Sequence, residues 1–342
     1  MTPAASARRP LRRTDVTVTR IGLGTATLGN LYREMSDADA AALVHAALEA
    51  GVTYFDTAPH YGLGLAERRL GEGLAAAGTR GAGAVVSTKV GRILEPTSGA
   101  DAVGDDLAEG FAVPRRYRRR WDFSVAGVER SLRESEQRLG GRRIDVVLIH
   151  DPDDHLDQAL HEALPALARL RDAGTIGAVG VGMKTTTPVV PFVESGLVDV
   201  VVLAGRYTLL DRSALGSVLS SAERHGVDVV IGGVFNSGLL ARPDVPDDAT
   251  YDYERAPAGV LARARAASRV CAAHGVPLPA AAIQFVRAHP AVVSVLIGAA
   301  TVAELEEDLR YMDFPIPDEL WPALRADGLL ADAAPTPGRG PQ

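Results

Sequence analysis

Ionisable side chains stand where three short apolar runs stop. Asp56 ends "VTYFD", Lys89 lies near the end of "AVVSTKV", and His150 ends "IDVVLIH". Tyr61 follows Asp56 inside "FDTAPHYGLGLAERRLG". A phenol ionises near pH ~10, and an ammonium beside it favours the phenolate. A carboxylate can hold that ammonium, and an imidazole can orient a substrate oxygen or share its proton. Brought together, the four make a tunable acid/base for interconverting an alcohol and a carbonyl. No side chain supplies hydride, so this chemistry implies a nicotinamide or a flavin. Singly, each has a plainer reading. Asp56 could cap a helix, Tyr61 anchor a loop, Lys89 end a strand in solvent, and His150 serve packing alone.

The elements that must position them follow a repeating order. After "DVTVTRIGLG", which reads as a hairpin or a first strand, helices alternate with short apolar runs. "DADAAALVHAALEAG" is a helix closed by Gly51, and "SVAGVERSLRESEQRLGG" is a helix opened by Ser124. "LDQALHEALPALARLRDAG" is a helix with an internal proline. Counting "RIGLG", eight runs fit strands buried on both faces, hence parallel. Such an α/β alternation fits a (β/α)8 TIM-type barrel or a doubly wound sheet, and eight units predict the barrel. One domain is expected over residues 16–330. Its ionisable strand ends would then meet at one mouth. Two connections at that mouth, Gly91 to Phe123 and Phe235 to Pro257, are long enough to act as lids.

Composition narrows the class. The chain has 342 residues, 46% hydrophobic and 23% charged, with a net charge of -7. That balance argues against general nucleic-acid binding. Cys271 is the only cysteine, so no intrachain disulfide forms, which suits a reducing compartment and a cytoplasmic location. No run of ~18 apolar residues is present to span a membrane. Residues 1–15 read as a loose basic leader and residues 331–342 as a disordered tail. Nothing in the sequence speaks to oligomeric state.

"FDTAPHYGLGLAERRLG", "STKVG" and "VVLIHDPD" together resemble the aldo-keto reductases, in order and spacing, and the likeness extends over roughly Val16 to Met312. The resemblance implies a (β/α)8 barrel that uses NAD(P)(H). It also implies an Asp–Tyr–Lys–His tetrad, carried here by Asp56, Tyr61, Lys89 and His150. Tyr61 would donate or accept the proton, Lys89 tune it, Asp56 anchor Lys89, and His150 orient the substrate. By the same resemblance the dinucleotide lies across the mouth. Tyr207 of "AGRYTLLD" would stack on the nicotinamide. Asn236, Ser237, Gly238 and Leu239 of "GGVFNSGLLA" would wrap the pyrophosphate through backbone N–H groups. Gly298, Ala299, Ala300, Glu304, Glu307 and Asp308 fall in the adenosine-binding stretch. Carboxylates there oppose a 2′-phosphate, which predicts NAD over NADP, although acids also favour a helix start. Where many members carry Ser-Asn after the fifth strand, this chain reads "GVGMKTT". The carboxamide contact is therefore either lost or remade around Gly182 and Lys184.

"LIHDPDDH", "GVFNSGLLA" and "YDYERAP" resemble the bacterial aldose 1-dehydrogenase branch, and pyridoxal 4-dehydrogenases share much of the pattern. That likeness implies oxidation of the C1 hydroxyl of an aldose such as L-fucose to a lactone. Reduction of small aldehydes or ketones would use the same site. A non-catalytic, nucleotide-sensing barrel is the rival from another class. The substrate is expected to be a small molecule, with His60, Trp121, Tyr251 and Tyr253 as candidates to line its pocket. "RRYRRR" (115–120) reads as a solvated basic face, or as an attractant for anions. "GLGTAT" lacks the third small residue of a dinucleotide fingerprint. "HDPDDH" lacks further metal ligands, and no metal is expected.

Overall fold

The computed structural model describes residues 4–252 and 254–338. Eight strands close into a parallel barrel in chain order. They are β1 Ile21–Gly24, β2 Tyr54–Asp56, β3 Val85–Val90, β4 Val146–His150, β5 Ala178–Met183, β6 Val200–Ala204, β7 Asp228–Gly232 and β8 Val292–Ile297. Closure comes from β8 pairing with β1, Val295 beside Ile21. Every residue of β2, β4, β5, β7 and β8 is buried. Alternate side chains fill the interior while the others pack under the helices, which is why these strands are apolar throughout.

The interior cluster includes Tyr54, Val146, Leu148, Val200, Val202 and Leu296. Because side chains alternate along a strand, Asp56 and His150 project into the same space as Tyr54 and Leu148, one layer nearer the C-terminal mouth. Lys89 is opposite Leu148 in the register, and Gly182 is opposite His150. Gly22 leaves room for the Tyr54 ring, since a Cβ there would lie 2.6 Å from Tyr54 Cδ1.

Three helix starts carry side-chain caps. Ser36, Ser124 and Thr301 accept from Asp39, Gly127 and Glu304 backbone N–H at the heads of Asp37–Glu49, Val125–Arg138 and Val302–Met312. The proline-containing helix opens into a wide turn over Ala159–Ala163, just before Pro165, which lacks the N–H a regular turn needs. Two helices escaped the sequence pattern. Leu278–Arg287 is buried on nearly all sides, so it has only a narrow polar edge, Gln284 and Arg287. Leu320–Ala326 is short and follows the last barrel unit.

Both chain ends depart from expectation. The described part of the leader, which begins at Ala4, is not loose. Arg8–Pro10 pairs antiparallel with Thr17–Thr19, and Leu11 and Val18 close the bottom of the barrel core. Arg12 N–H donates to Asp228 at 2.6 Å, and Arg13 donates to the Val198 carbonyl at 2.9 Å. The tail folds back at least to Gly338. Ala334 and Thr336 are buried and accept from Arg325 at 3.0 and 3.2 Å. Apolar and charged anchors within polar-looking stretches explain both differences. The first lid is not structureless either. Arg92–Pro96 pairs with Tyr117–Trp121, and Asp105–Asp106 with Phe111–Pro114, as nested hairpins. The second lid carries the small hairpin Thr250–Tyr251 with Glu254–Arg255.

At the face opposite the mouth, Asp199 accepts from the Val179 N–H at 2.9 Å and from Arg171 at 2.9 Å. Asp199→Ala strands the Val179 N–H and removes one acceptor from Arg171, which keeps the Leu197 carbonyl and Asp172. We expect a loss of about 2–4 kcal/mol in unfolding free energy, with turnover per folded molecule unchanged. Denaturant midpoints and specific activity check this together, and a loss under about 1 kcal/mol would contradict it.

Candidate active site

Asp56, Lys89 and His150 are 3%, 3% and 7% exposed, so three polar groups share the top of a closed core. Lys89 Nζ spends its three N–H donors on Asp56 Oδ2 at 2.7 Å, the Thr57 carbonyl at 2.8 Å and the Tyr61 hydroxyl at 3.1 Å. Beneath Asp56, the Ser87 hydroxyl donates to Oδ1 at 2.6 Å. Its one proton used, Ser87 accepts from Tyr54 OH at 3.1 Å. Ser87 and Tyr54 therefore fix the carboxylate that fixes the lysine, and neither was singled out from sequence.

Tyr61 sits in the turn between β2 and the helix Leu65–Ala76. That turn leans on the loop after β1. A Cβ on Gly62, whose φ is +60°, would lie 2.3 Å from the Gly29 carbonyl oxygen. Only glycine permits this approach. The Tyr61 ring is perpendicular to His150, with centroids 6.1 Å apart. His150 Nε2 is 3.7 Å from Asp151 Oδ2. Asp151 is itself ion-paired with Arg92, which lies over the Trp121 ring at 4.5 Å.

Burial dominates the electrostatics. It pushes the Tyr61 phenol above its ordinary value, and Lys89 offsets only part of that rise. The expectation that Lys89 brings the net value down is thus corrected for the free site. Burial disfavours the Lys89 ammonium, but Asp56 and Tyr61 reverse this, and its pKa is raised. Burial, then the Arg92 and Lys89 cations, hold His150 well below the usual imidazole range. His60 is pushed down to about 2 by burial, Arg92 and Arg119. Both imidazoles are neutral.

A cavity of about 400 Å³ opens beside Tyr61 and Asp56. Lys184, Asn236, Ser237, Gly238 and Gly298 line it, as does Phe235. Asn236, Ser237 and Gly238 follow one another with φ of 47°, 58° and 92°. Asn236 Oδ1 is buried with no hydrogen-bond partner among the described residues. Gly182 lies below this wall, where a Cβ would meet Lys89 Cε at 3.6 Å. Leu239 is buried beneath the loop rather than exposed to the cavity. Ala299 is buried and its carbonyl accepts from Thr27 at 2.7 Å. The Ala300 N–H donates to Glu304, which also faces Arg33 at 3.7 Å, so Glu304 serves the helix start. Glu307 is exposed and accepts from Tyr311, whereas Asp308 is buried and pushed up to about 7 by burial, then Glu307 and Glu304.

Three further assignments change. Tyr207 does not face the mouth. Its ring is fully buried against Phe285 and His289, 5.2 and 5.5 Å away, because the chain turns outward at Gly205, whose φ is 71°. Phe235, half-buried in the cavity wall, is the aromatic that this part of the mouth presents. Its position just after a strand end was the available signal. Tyr251 turns away too, donating to Asp211 at 3.3 Å beside a separate cavity. Trp121 stacks on Phe123 and Arg92 at the rim and does not line the mouth cavity. Tyr253 lies outside the described residues. Nor is the arginine run a free basic face. Arg118 and Arg120 pair with Glu95, while Arg119 turns inward to His60 and Asp106. In "HDPDDH", Asp153 accepts from Thr185 and His155 packs on Trp121 and Phe123.

Comparison with known proteins finds relatives along nearly the whole chain. A D-threo-aldose 1-dehydrogenase of a Pseudomonas species is 40% identical over 98% of both chains. A pyridoxal 4-dehydrogenase of Microbacterium luteolum is 39% identical, covering 96% of this chain and 99% of its own. An L-galactose dehydrogenase of Arabidopsis thaliana is 30% identical over 88% of this chain and 86% of its own. A glycerol dehydrogenase from Gluconobacter oxydans shares the fold, with a TM-score of 0.74 at 24% identity over 99% of each chain. Residues 20–326 match the aldo/keto reductase family, so the chain belongs to that family and is an NAD(P)-dependent oxidoreductase of its type.

Proposed function

We propose that this site oxidises the C1 hydroxyl of an aldose in its hemiacetal form, L-fucose being the type substrate, to a lactone. The observation that carries the reading is the Tyr61 hydroxyl, held 3.1 Å from Lys89 Nζ at the wall of the mouth cavity. Tyr61 Oη, as phenolate, takes the proton of the C1 hydroxyl. Lys89 opposes the charge on that oxygen before the transfer, and Asp56 keeps the ammonium aimed. The neutral His150 holds the substrate oxygen near Tyr61. A bound nicotinamide supplies the hydride acceptor that no side chain can be.

The residues present fit such a group. The left-handed run at Asn236–Gly238 curls the loop along the cavity wall, with the Asn236 N–H committed to the Gly233 carbonyl, and Gly238 lets the backbone approach a ligand with no side chain between. The unpartnered Asn236 Oδ1 offers an acceptor beside it. Phe235 takes the stacking role first assigned to Tyr207. Glu307, exposed at the adenosine end, favours NAD, since a carboxylate there repels a 2′-phosphate, whereas Glu304 is spent on the Ala300 N–H and faces Arg33. The 40% identical aldose dehydrogenase supports the sugar, and the 39% identical pyridoxal dehydrogenase supports pyridoxal as the second reading.

The test is NADH formation by the purified protein with L-fucose and with pyridoxal, using NAD and NADP in turn. We expect turnover of the sugar with NAD, and a fall of at least about 10²-fold in kcat in Tyr61→Phe, with dinucleotide affinity retained in calorimetry. A Tyr61→Phe protein keeping a tenth of the activity would exclude the proposed role. Turnover of pyridoxal alone would move the substrate to the second reading.

A pH profile tests the electrostatics. Oxidation needs the phenolate, and burial keeps the Tyr61 pKa high. The oxidative kcat/KM therefore climbs with pH from neutral into the basic range, while reduction, which needs the phenol, stays level there. Lys89 lowers the phenol pKa, so Lys89→Met shifts the climb to higher pH. Neither histidine titrates near neutrality. A limb near pH ~6.5 that vanishes in His150→Asn would contradict this.

A further inference from the structure

His60 stands between the tetrad and the first lid. Its ring is 5.7 Å from His150 and 6.0 Å from Tyr61, and it meets Phe111 edge-on at 5.2 Å. Arg119, in the lid strand Tyr117–Trp121, donates Nε–H to His60 Nδ1 at 2.5 Å and Nη2–H to the His60 carbonyl at 3.0 Å. The remaining fork of Arg119 is held by both oxygens of Asp106, at 2.8 and 2.5 Å. The Arg119 and Asp106 side chains are 11% and 5% exposed, so this is a buried clamp rather than a surface pair. It joins both lid hairpins to the residue before Tyr61.

Arginine is a donor only. His60 Nδ1 must therefore be the bare acceptor, and the ring proton must sit on Nε2. Nε2 makes no hydrogen bond to the described residues and is not one of their fully buried, unpartnered polar atoms, so it keeps access to open space. With Nδ1 turned to the lid, Nε2–H is the ring's uncommitted polar edge, and His60 stands against Tyr61, a wall residue of the mouth cavity, rather than lining the cavity itself.

We propose that His60 is a specificity-determining residue whose Nε2–H donates to an oxygen on the carbon next to the reacting one, and that Arg119 is the positioning residue that selects this tautomer. The proposal deepens the sugar reading and rests on Tyr61 being the reacting acid/base. Tyr61 and His150 take the reacting oxygen, and His60, on the adjoining ring, takes its neighbour. The favoured substrates are hydroxy-aldehydes and their hemiacetals, with oxygen on adjacent carbons. A substrate lacking the second oxygen leaves a buried N–H unpaired, and such sites discriminate strongly against it. Burial and the surrounding cations hold the ring neutral, which suits a donor and not a base.

The test compares substrate pairs that differ by that oxygen. In the oxidative direction these are L-fucose and its 2-deoxy analogue with NAD. In the reductive direction they are glycolaldehyde and acetaldehyde with NADH. The wild-type protein should favour the hydroxylated member of each pair by about 10–100-fold in kcat/KM. His60→Leu should bring that ratio to within about threefold, mostly through the KM of the hydroxylated member. His60→Gln, which keeps a side-chain N–H, should restore part of it. In Arg119→Met the preference should fall as well, and the ¹⁵N signals of the His60 ring should move from a pure Nε2–H tautomer to a mixture. Unchanged preference in His60→Leu, equal loss on both members of a pair, or an Nδ1–H tautomer in the wild type would each overturn the proposal. If only the aldehyde pair turns over, with the expected ratio, the sugar reading fails and the His60 assignment stands. Turnover of neither pair overturns both.

Discussion

The Lys89 ammonium, 3% exposed and inside a barrel, is the constraint from which the rest of the site follows. A buried cation without partners is costly, and removing one partner of such a pair typically costs about 3–5 kcal/mol. Here the account closes atom by atom. Three donors meet three acceptors, contributed by Asp56, Thr57 and Tyr61. Two of those acceptors come from the end of β2 and the residue after it, and the third from the turn beyond. The lysine cannot be satisfied unless β2 and β3 are in register and the turn is folded. The geometry of the mouth is thus a by-product of paying for one buried charge.

The two ends of the barrel divide stability from chemistry. At the bottom, Leu11 and Val18 fill the core opening, and Asp199 and Asp228 receive arginines and strand N–H groups. At the top the space is left open, and its walls are glycines, backbone and lid side chains. The second lid is tied down by Arg206, which pairs with Asp252 at 2.8 Å and donates to the Lys184 carbonyl at 2.6 Å. One guanidinium therefore joins the loops after β5, β6 and β7 around the cavity where the dinucleotide is proposed to lie.

The barrel, and the meeting of Asp56, Tyr61, Lys89 and His150 at its mouth, were legible because they depend on strand ends. A fully buried strand must be apolar along its length, so an acid, a lysine or a histidine at its end stands out. Elements outside that rule were less legible. Leu278–Arg287 has only a narrow polar edge, Gln284 and Arg287, because the rest of it is buried. The leader looked loose because its apolar anchor Leu11 is isolated among polar neighbours, and Arg12 and Arg13, which tie it to Asp228 and the Val198 carbonyl, read as surface charge. Tyr207 was misplaced because a turn with positive φ decides whether the next ring faces the mouth or the helices, and Gly205 sends it to the helices. The arginine run was ambiguous for a related reason. Only pairing as a strand, with side chains alternating, separates Arg119 from Arg118 and Arg120.

Burial acts on the whole mouth with one cause and two signs. It disfavours charge on every group, so it raises the phenol of Tyr61 and lowers the imidazoles of His60 and His150. The nearby cations then split them. Lys89 draws the phenol back down toward use as a base, while Lys89, Arg92 and Arg119 drive the imidazoles further from protonation. On the proposed reading Tyr61 is the group that exchanges a proton with substrate, and the two histidines are left as neutral hydrogen-bonding groups. The lid that supplies Arg119 can then alter which oxygens are recognised without disturbing which atom carries the proton.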